Sequence, residues 1–224
     1  MKIIIIGAKG AAVDIGEQIV DAQVSHRAPV ELLGWAIDDE SLGPSVNGYP
    51  VLCRPSQAAS RYPHADVKLI FALYKPELMK ERTSLLNSYG IEPDKFATFI
   101  HPSAYVARSA TLGPGTVVLA HAIVSANVRI GAHCIITSGS MIGHDSVVHN
   151  NVFVATSFIG SQVTVRNGVF IGLNSAVNEN VEIGDYAFVG LSTSVLRGVP
   201  PERVVYGNPA RDITQQVRPS NTVS

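Results

Sequence analysis

The hydrophobic pattern of the chain changes near residue 101, and each half has its own period. In the first half, four consecutive isoleucines at positions 3–6 are typical of a strand buried on both faces of a parallel sheet. Strands are predicted over 2–6, 33–37, 67–73 and 97–100, and helices over 11–24 and from Pro76 onward. This alternation predicts a small doubly wound domain whose ligand crevice lies at the carboxyl ends of the strands.

The second half has a period of six residues. An aliphatic residue recurs at every sixth position from Val106 to Val154, and after a slip of one residue the spacing resumes from Ile159 to Val195. This period fits neither a helix nor an alternating strand, and it indicates a repeat architecture. Three hexapeptides form one triangular coil, in which the aliphatic residue points inward and a small residue four positions later lies near a corner. A β-sandwich is the alternative, but its strands vary in length and would not keep one phase.

The two patterns together predict an α/β domain with a small Rossmann-like parallel sheet over 1–100, followed by an all-β left-handed parallel β-helix over 101–214. The polar segment 215–224 is predicted to be a flexible tail.

Composition excludes several classes of protein. Apolar residues make up 46% of the chain and charged residues 16%, which is enough to build a large core. The net charge is -1 without a basic block, so nucleic acid is not expected as a partner. Cys53 and Cys134 stand in no metal-ligand spacing, and we expect no metal ion. The apolar run at the N-terminus is too short for a signal peptide or a membrane span, so we expect a cytoplasmic protein without a membrane partner.

Five motifs follow one another along nearly the whole chain: IIIIGAKG, LLGWAIDDE, HPSAYV, MIGHDSVV and VVYGNPAR. In this arrangement the sequence resembles the family of sialic-acid O-acetyltransferases and bacillosamine-pathway N-acetyltransferases, which are hexapeptide-repeat acyltransferases. The resemblance implies a nucleotide-sugar-binding domain ahead of the β-helix and acetyl-CoA as co-substrate. It also implies a homotrimer with the active site at the subunit boundary.

The resemblance also indicates a catalytic pair. His144 and Asp145 match the positions of the family's general base and the acidic residue beside it. An imidazole titrates near neutral pH and can accept the proton released by the attacking nucleophile. Asp145 could hold the tautomer of His144, but adjacent side chains on a strand point to opposite faces. We therefore expect either local bending at this point or pairing of Asp145 with a neighbouring subunit. His121, His133 and His149 are interpreted as surface or packing residues.

The acceptor is expected in the crevice of the first domain. The predicted substrate-binding residues are Gly7, Ala8, Lys9, Gly10, Asp38, Asp39, Thr137 and Ser138. Carboxylates at the end of the second strand can accept hydrogen bonds from a base or a ribose. Ala11 and Ala12 depart from the GASGHG pattern of the family, and Thr137 stands where the family often has asparagine.

The donor is expected along the β-helix. Backbone N–H groups at the phase slip, Ile159-Gly160-Ser161, could stabilise the developing oxyanion because glycine permits a close approach. The closing motif resembles the one that lies beside the CoA adenine, and Arg211 could meet a CoA phosphate. The predicted cofactor-binding residues are Gly160, Ser161, Leu173, Gly190, Leu191, Asn208, Pro209, Ala210 and Arg211.

Three functions are compatible with these features. The leading one is N-acetylation of a UDP-linked 4-amino-4,6-dideoxy sugar by direct transfer from acetyl-CoA, as a step of polysaccharide biosynthesis. No serine or cysteine nucleophile motif is present, which favours direct transfer. GDP- or dTDP-linked sugars are open alternatives, and so is O-acetylation of sialic acid or another glycan hydroxyl. A non-catalytic nucleotide-binding trimer would predict a degenerate base position, whereas His144 and Asp145 are both present.

Overall fold

The computed structural model describes residues 1–217. The N-terminal strands are β1 (Lys2–Ile6), β2 (Glu31–Ala36), β3 (Ser45–Val46), β4 (Tyr49–Cys53) and β5 (Val67–Phe71), and the helices are α1 (Ala11–Val24), α2 (Ala58–Arg61) and α3 (Met79–Ser88). The strands form one sheet in the order β3-β4-β2-β1-β5, and only the β3–β4 pair is antiparallel. Because β1 lies between β2 and β5 with helices on both faces, its isoleucines are fully buried, as their continuous run predicts.

Helix α1 covers one face of this sheet and has the predicted bounds. Its buried residues recur at spacings of three and four: Ala12, Ile15, Gly16, Ile19 and Ala22. Gly16 permits the closest approach, because a Cβ atom added there would lie 2.5 Å from the Trp35 ring. Helix α3 follows a 3-10 turn at Pro76–Leu78, so the predicted start at proline is confirmed.

The sequence analysis missed the β3–β4 hairpin. Its turn residues, Asn47 and Gly48, both have positive φ angles, 46° and 79°. An Asn-Gly pair between two short strands is a strong hairpin signal, and it was present in the sequence.

The rest of the chain winds into a left-handed parallel β-helix of two-residue strands. The strands of its first face are β7 (Tyr105–Val106), β10 (Ile123–Val124), β13 (Met141–Ile142), β16 (Phe158–Ile159), β19 (Ala176–Val177) and β22 (Ser194–Val195). The second face contains β8 (Thr111–Leu112), β11 (Arg129–Ile130), β14 (Val147–Val148), β17 (Thr164–Val165) and β20 (Glu182–Ile183). The third face contains β6 (Phe99–Ile100), β9 (Val117–Val118), β12 (Ile135–Ile136), β15 (Phe153–Val154), β18 (Phe170–Ile171), β21 (Phe188–Val189) and β23 (Val204–Tyr206).

The aliphatic repeat residue is the second residue of its strand and points into the core, as predicted. The small residue four positions later directly follows the turn at the corner, as predicted, and also points inward: Ala122, Val128, Cys134 and Ser140 are fully buried. The turns themselves are made by residues in the left-handed region, such as Asn127 and Asp145, with φ angles of 61° and 59°. Each hexapeptide therefore contributes two inward side chains, one from its strand and one from the residue that follows the turn.

The phase slip lies between Val154 and Ile159, as the spacing predicts, and one corner before Gly160 and Ser161, where the oxyanion donors were expected. The corner between β15 and β16 contains residues 155–157, one residue fewer than the corner between β12 and β13. It joins the third face to the first. Gly160 lies on the next corner, which has the usual length.

The last strand predicted for the N-terminal domain belongs to the β-helix. Phe99 in β6 pairs with Val117 in β9, so β6 opens the third face. The N-terminal domain packs on this same face, and one hydrophobic cluster includes Ile19 and Trp35 from the domain together with Ile135 from the β-helix.

The chain after β23 turns back as β24 (Arg211–Asp212), which is antiparallel to β23, and continues into α4 (Thr214–Val217). The predicted tail begins at 215, so its first residues lie in α4, and residues 218–224 lie outside the described part of the chain. Among residues 1–217, no helix is long and apolar enough to cross a membrane.

Candidate active site

A cavity of about 420 Å³ lies at the carboxyl ends of β1, β2 and β5, where the doubly wound layout places a ligand crevice. This volume is within the range of small-molecule sites, roughly 300–1,000 Å³. Its lining includes the predicted residues Ala8, Lys9, Asp38 and Asp39, together with Ile37, Leu42, Pro55, Ala72, Leu73, Tyr74, Lys75, Arg82, Leu85 and Tyr89. Gly7 and Gly10 flank the turn with positive φ angles of 121° and 54°, which explains the choice of glycine at both positions.

The two acidic residues at the end of β2 have different surroundings. Asp39 accepts a hydrogen bond from Lys9 Nζ at 2.7 Å and another from the backbone N–H of Ser41. The contact with Lys9, and then those with Ser41, lower the pKa of Asp39 to about 2. Asp38 makes no hydrogen bond or ion pair with any other residue in 1–217. Asp38 is therefore the carboxylate in the crevice that is available to a ligand.

Three polar residues of this cavity were missed by the sequence analysis. Tyr74 and Lys75 lie in the loop after β5, beyond Ala72 and Leu73, and Arg82 lies on α3. The Arg82 Nε atom is buried without a hydrogen-bond partner among the described residues. Their position in the loop that follows the carboxyl end of a buried parallel strand is the signal that could have identified Tyr74 and Lys75. Lys75 and Arg82 bring positive charge to a lining in which Lys9 is already paired with Asp39.

His144 and Asp145 lie in a turn at the corner between the first and second faces of the β-helix. Asp145 has a φ of 59°, and this bend brings its Oδ2 to 2.7 Å from His144 Nδ1. Of the two sequence expectations, local bending is the one observed. Asn127, one coil away, donates from Nδ2 to Asp145 Oδ1 at 2.9 Å.

The electrostatics of this pair define the tautomer of His144. The hydrogen bond from His144, followed by the one from Asn127, lowers the pKa of Asp145, so its carboxylate is ionised at neutral pH. An ionised carboxylate only accepts hydrogen bonds, and Nδ1 of His144 must therefore carry the hydrogen. The other ring nitrogen, Nε2, is then the unprotonated atom in the neutral ring. The His144 side chain is 58% exposed, so this atom is accessible to a reactant.

Thr137 and Ser138 lie at a different corner, between the third and first faces. Ser138 Oγ accepts a hydrogen bond from Gln18 Nε2 at 2.9 Å, and Gln18 Oε1 accepts one from the Ala120 N–H at 2.8 Å. Thr137 Oγ1 accepts the N–H of Thr156 at 2.7 Å. These contacts join α1 to the β-helix and one coil to the next. Within one chain, neither residue is beside His144.

The residues predicted to bind the donor occupy three places. Gly160 and Ser161 occupy the coil next to His144, but Gly160 donates its N–H to Val177 at 2.9 Å and cannot serve an oxyanion. Within residues 1–217, the N–H of Ser161 makes no hydrogen bond. Leu173 and Leu191 are exposed and line an apolar cavity of about 460 Å³. The last group, Pro209, Ala210 and Arg211, lines a cavity of about 540 Å³ near the end of the β-helix.

An aromatic ladder forms the floor of the apolar cavity. Phe153, Phe170 and Phe188 stack along the third face with ring centroids 5.1 and 5.4 Å apart. Tyr206 continues the ladder, and its ring lies on Gly190, where a Cβ atom would be 2.0 Å from it. Gly190 therefore makes room for Tyr206.

Asn208 precedes Pro209 through a cis peptide bond.

Comparisons with known proteins agree with this architecture. The family profile described as the GMPPB C-terminal domain matches residues 96–194. GDP-perosamine N-acetyltransferase from Escherichia coli O157:H7 is 25% identical over 201 residues, which are 87% of this chain and 89% of that protein. A mutant of perosamine N-acetyltransferase from Caulobacter crescentus, solved with CoA and GDP-perosamine, superposes with a TM-score of 0.77 at 23% identity over 95% of this chain and 96% of that one. WeeI from Acinetobacter baumannii AYE superposes with a TM-score of 0.71 at 22% identity, over 95% and 100% of the two chains.

The left-handed β-helix with an N-terminal α/β domain is the architecture of a hexapeptide-repeat acyltransferase. Within that class, the relative that matches the chain over most of its length is an N-acetyltransferase of a nucleotide-linked amino sugar.

Proposed function

We propose that the protein transfers an acetyl group from acetyl-CoA to the amino group of a nucleotide-linked 4-amino-4,6-dideoxy sugar, with His144 as general base. The observation that carries this proposal is the Nδ1–Oδ2 contact of 2.7 Å between His144 and Asp145, which leaves Nε2 unprotonated and exposed. The names of the relatives support the acceptor class, since two of them are perosamine N-acetyltransferases.

In the proposed reaction, the amine of the sugar attacks the thioester carbonyl and forms the new C–N bond. His144 Nε2 accepts the proton that the amine loses, and Asp145 stabilises the imidazolium that results. The C–S bond then breaks, and the proton on Nε2 can pass to the departing thiolate. Direct transfer requires both substrates at His144 at the same time.

The nucleotide is proposed to be GDP rather than the UDP expected from the sequence. Guanine presents two neighbouring N–H donors, N1–H and the N2 amino group, on its pairing edge, whereas uracil presents a single one. A free carboxylate can accept both donors of guanine, and Asp38 is the free carboxylate of the crevice. The relative from E. coli and the solved structure from C. crescentus, both named with GDP-perosamine, support the same choice.

A single chain does not bring the crevice and His144 together. The N-terminal domain packs on the third face, and Gln18 and Tyr74 contact the corners at both edges of that face. His144 lies on the remaining corner, opposite the third face. We therefore include a homotrimer in the proposal, with His144 of one copy facing the crevice of its neighbour.

Thiol release from acetyl-CoA tests the acceptor. Purified protein is assayed with GDP-, UDP- and dTDP-linked 4-amino sugars and with sialic acid. Turnover with the GDP-linked amino sugar is expected to exceed that with the other acceptors. Turnover with sialic acid and with none of the amino sugars would contradict the proposal and indicate an O-acetyltransferase. The variant His144→Asn should lose activity by roughly 10²–10⁴-fold, while His121→Asn, an exposed histidine at another corner, should not.

Subunit complementation tests the shared site. His144→Asn copies and Asp38→Ala copies, each expected to be inactive as homo-oligomers, are co-expressed with different tags and purified as mixed oligomers. A shared site predicts that mixed oligomers regain part of the activity, because some boundaries combine an intact His144 with an intact Asp38. Mixed oligomers without activity would contradict a site at the subunit boundary.

A further inference from the structure

Two histidines and one aspartate converge where α1 meets the first coil of the β-helix, away from His144 and the crevice. Asp21 lies in the last turn of α1, His26 in the loop after it, and His101 directly after β6. The possible ligand atoms of the three side chains all lie within 4.8 Å of one another. His101 is 2% exposed, and the other two residues are exposed.

The distances fit the ligand shell of a small divalent cation. Asp21 Oδ2 is 3.1 Å from His101 Nε2 and 3.6 Å from His26 Nε2. In a tetrahedral zinc site with bonds of about 2.0–2.1 Å, neighbouring ligand atoms are about 3.3 Å apart. The shared oxygen of Asp21 therefore lies at nearly the required separation from each imidazole nitrogen. The rings of His26 and His101 are nearly perpendicular, with centroids 5.2 Å apart.

Contacts behind the three side chains orient them. Ser25 Oγ donates to the other carboxylate oxygen of Asp21 at 2.6 Å, which leaves Oδ2 for the histidines. His101 Nδ1 is 2.8 Å from Ser103 Oγ and 3.2 Å from the Ser103 N–H. A ligating histidine usually has its second ring nitrogen held in this way.

Without a metal, the N–H of Ser103 donates to Nδ1, so the neutral ring of His101 carries its hydrogen on Nε2 and donates it to Asp21. A metal on Nε2 would displace that hydrogen. Nδ1 would then carry a hydrogen and donate to Ser103 Oγ across the same 2.8 Å contact. His101 can therefore adopt the tautomer that a metal needs, and it would lose only the 3.2 Å hydrogen bond from the Ser103 N–H.

We propose that Asp21, His26 and His101 bind one zinc ion, with water as fourth ligand, and that the ion clamps helix α1 to the β-helix. Nitrogen and carboxylate ligands in a tetrahedral arrangement favour zinc over magnesium or calcium, which prefer shells of oxygen. The site has a structural role and is separate from the acetyl transfer proposed above. The sequence analysis expected no metal from the spacing of the two cysteines and did not consider His26 and His101, which are far apart along the chain.

The test uses the full chain without a histidine tag. After incubation with zinc and gel filtration, metal analysis is expected to find about one zinc per chain, and zinc is expected to raise the melting temperature relative to protein in EDTA. Cobalt in place of zinc should give the visible absorption of a tetrahedral site. The variants His26→Asn and Asp21→Asn should lose both the bound zinc and the thermal shift. His26 and Asp21 are exposed, so these variants are expected to fold.

His64→Asn is the matched control, since it removes an exposed histidine near an acidic residue, Asp66, without a second histidine beside it. It should keep the zinc and the thermal shift. Zinc retained by His26→Asn, or no zinc retained by the unmodified protein, would overturn the proposal and leave the three residues as a hydrogen-bonded cluster. Metal content is measured without substrate, so this result is independent of the proposed enzymatic function.

Discussion

Nδ1 of His144 lies 2.7 Å from Oδ2 of Asp145, although the two residues are neighbours in the chain. Neighbours on a strand point to opposite faces, but this pair lies in a turn where Asp145 has a φ of 59°. The corner of the β-helix is therefore what allows a histidine and its own neighbour to form a hydrogen-bonded pair. The same backbone position is occupied by Asn127 one coil earlier and by Gln162 one coil later.

The substitution Asp145→Asn tests this relationship. An asparagine amide that donates to Nδ1 would favour the tautomer with hydrogen on Nε2, which cannot accept a proton. We expect kcat to fall by roughly 10²–10⁴-fold, with the KM values for both substrates nearly unchanged. Steady-state kinetics with each substrate varied separates these parameters. Asn127→Ala, which removes the second partner of Asp145 but keeps its contact with His144, should cost much less. An unchanged kcat in Asp145→Asn would show that Asp145 does not orient the base.

Lys9 is expected to control the ionisation of Asp39. The folded-state pKa of Asp39 is lowered to about 2, mainly by Lys9, whereas the pKa of an aspartate in an unfolded chain is about 3.9. A lowered pKa contributes stability that is complete above the unfolded value and is lost as the pH falls towards about 2. Lys9→Met should therefore raise the pKa of Asp39 towards the ordinary value. It should also remove part of the stability that the ionised Asp39 provides at neutral pH.

Carboxyl-carbon NMR titration measures the pKa of Asp39 directly. Lys75→Met is the control, because Lys75 lines the same cavity but makes no hydrogen bond to Asp39. It should leave the pKa of Asp39 close to its original value. If Lys9→Met also leaves the pKa of Asp39 unchanged, the hydrogen bonds from Ser41 are sufficient to hold that pKa low.

Gly16 is expected to be needed for the packing of α1 on the sheet. Alanine is normally better than glycine in a helix by about 1 kcal/mol. At this position, however, its Cβ would lie 2.5 Å from the Trp35 ring, and overpacking costs typically about 1–3 kcal/mol. We therefore expect Gly16→Ala to lower the free energy of unfolding, as measured by urea denaturation. Gln23→Ala, on the exposed side of α1, should have little effect. A more stable Gly16→Ala would mean that Trp35 moves aside without cost.

Two isoleucines on the first face should respond differently to truncation. Ile142 is fully buried in the aliphatic column, whereas Ile123 is the outward residue of its strand and is 41% exposed. Ile142→Ala should cost about 2–5 kcal/mol, and Ile123→Ala far less. Urea unfolding of both variants measures the difference. Equal losses would indicate that Ile123 is covered, for example by a neighbouring subunit.

The period of the sequence was sufficient to predict the β-helix, because every coil repeats the same inward positions and only neighbouring coils need to match. The buried run of β1 and the amphipathic pattern of α1 were equally local signals, and both elements have their predicted bounds. His144 could be named from its motif. The β3–β4 hairpin was missed although its Asn-Gly turn is also local, so that omission was not imposed by the sequence.

Other features required the tertiary structure, because they depend on contacts between residues distant in the chain. Strand β6 could not be assigned to the β-helix until Phe99 was seen to pair with Val117. Tyr74 and Arg82 join the crevice only because β5 and α3 return to it. The separation of Thr137 from His144 depends on which corner each residue occupies. A period of six predicts that corners exist but does not say which corner lies beside the acceptor crevice. Hydrophobic periodicity determined the scaffold of this protein, while the folding of one element onto another decided which polar groups meet.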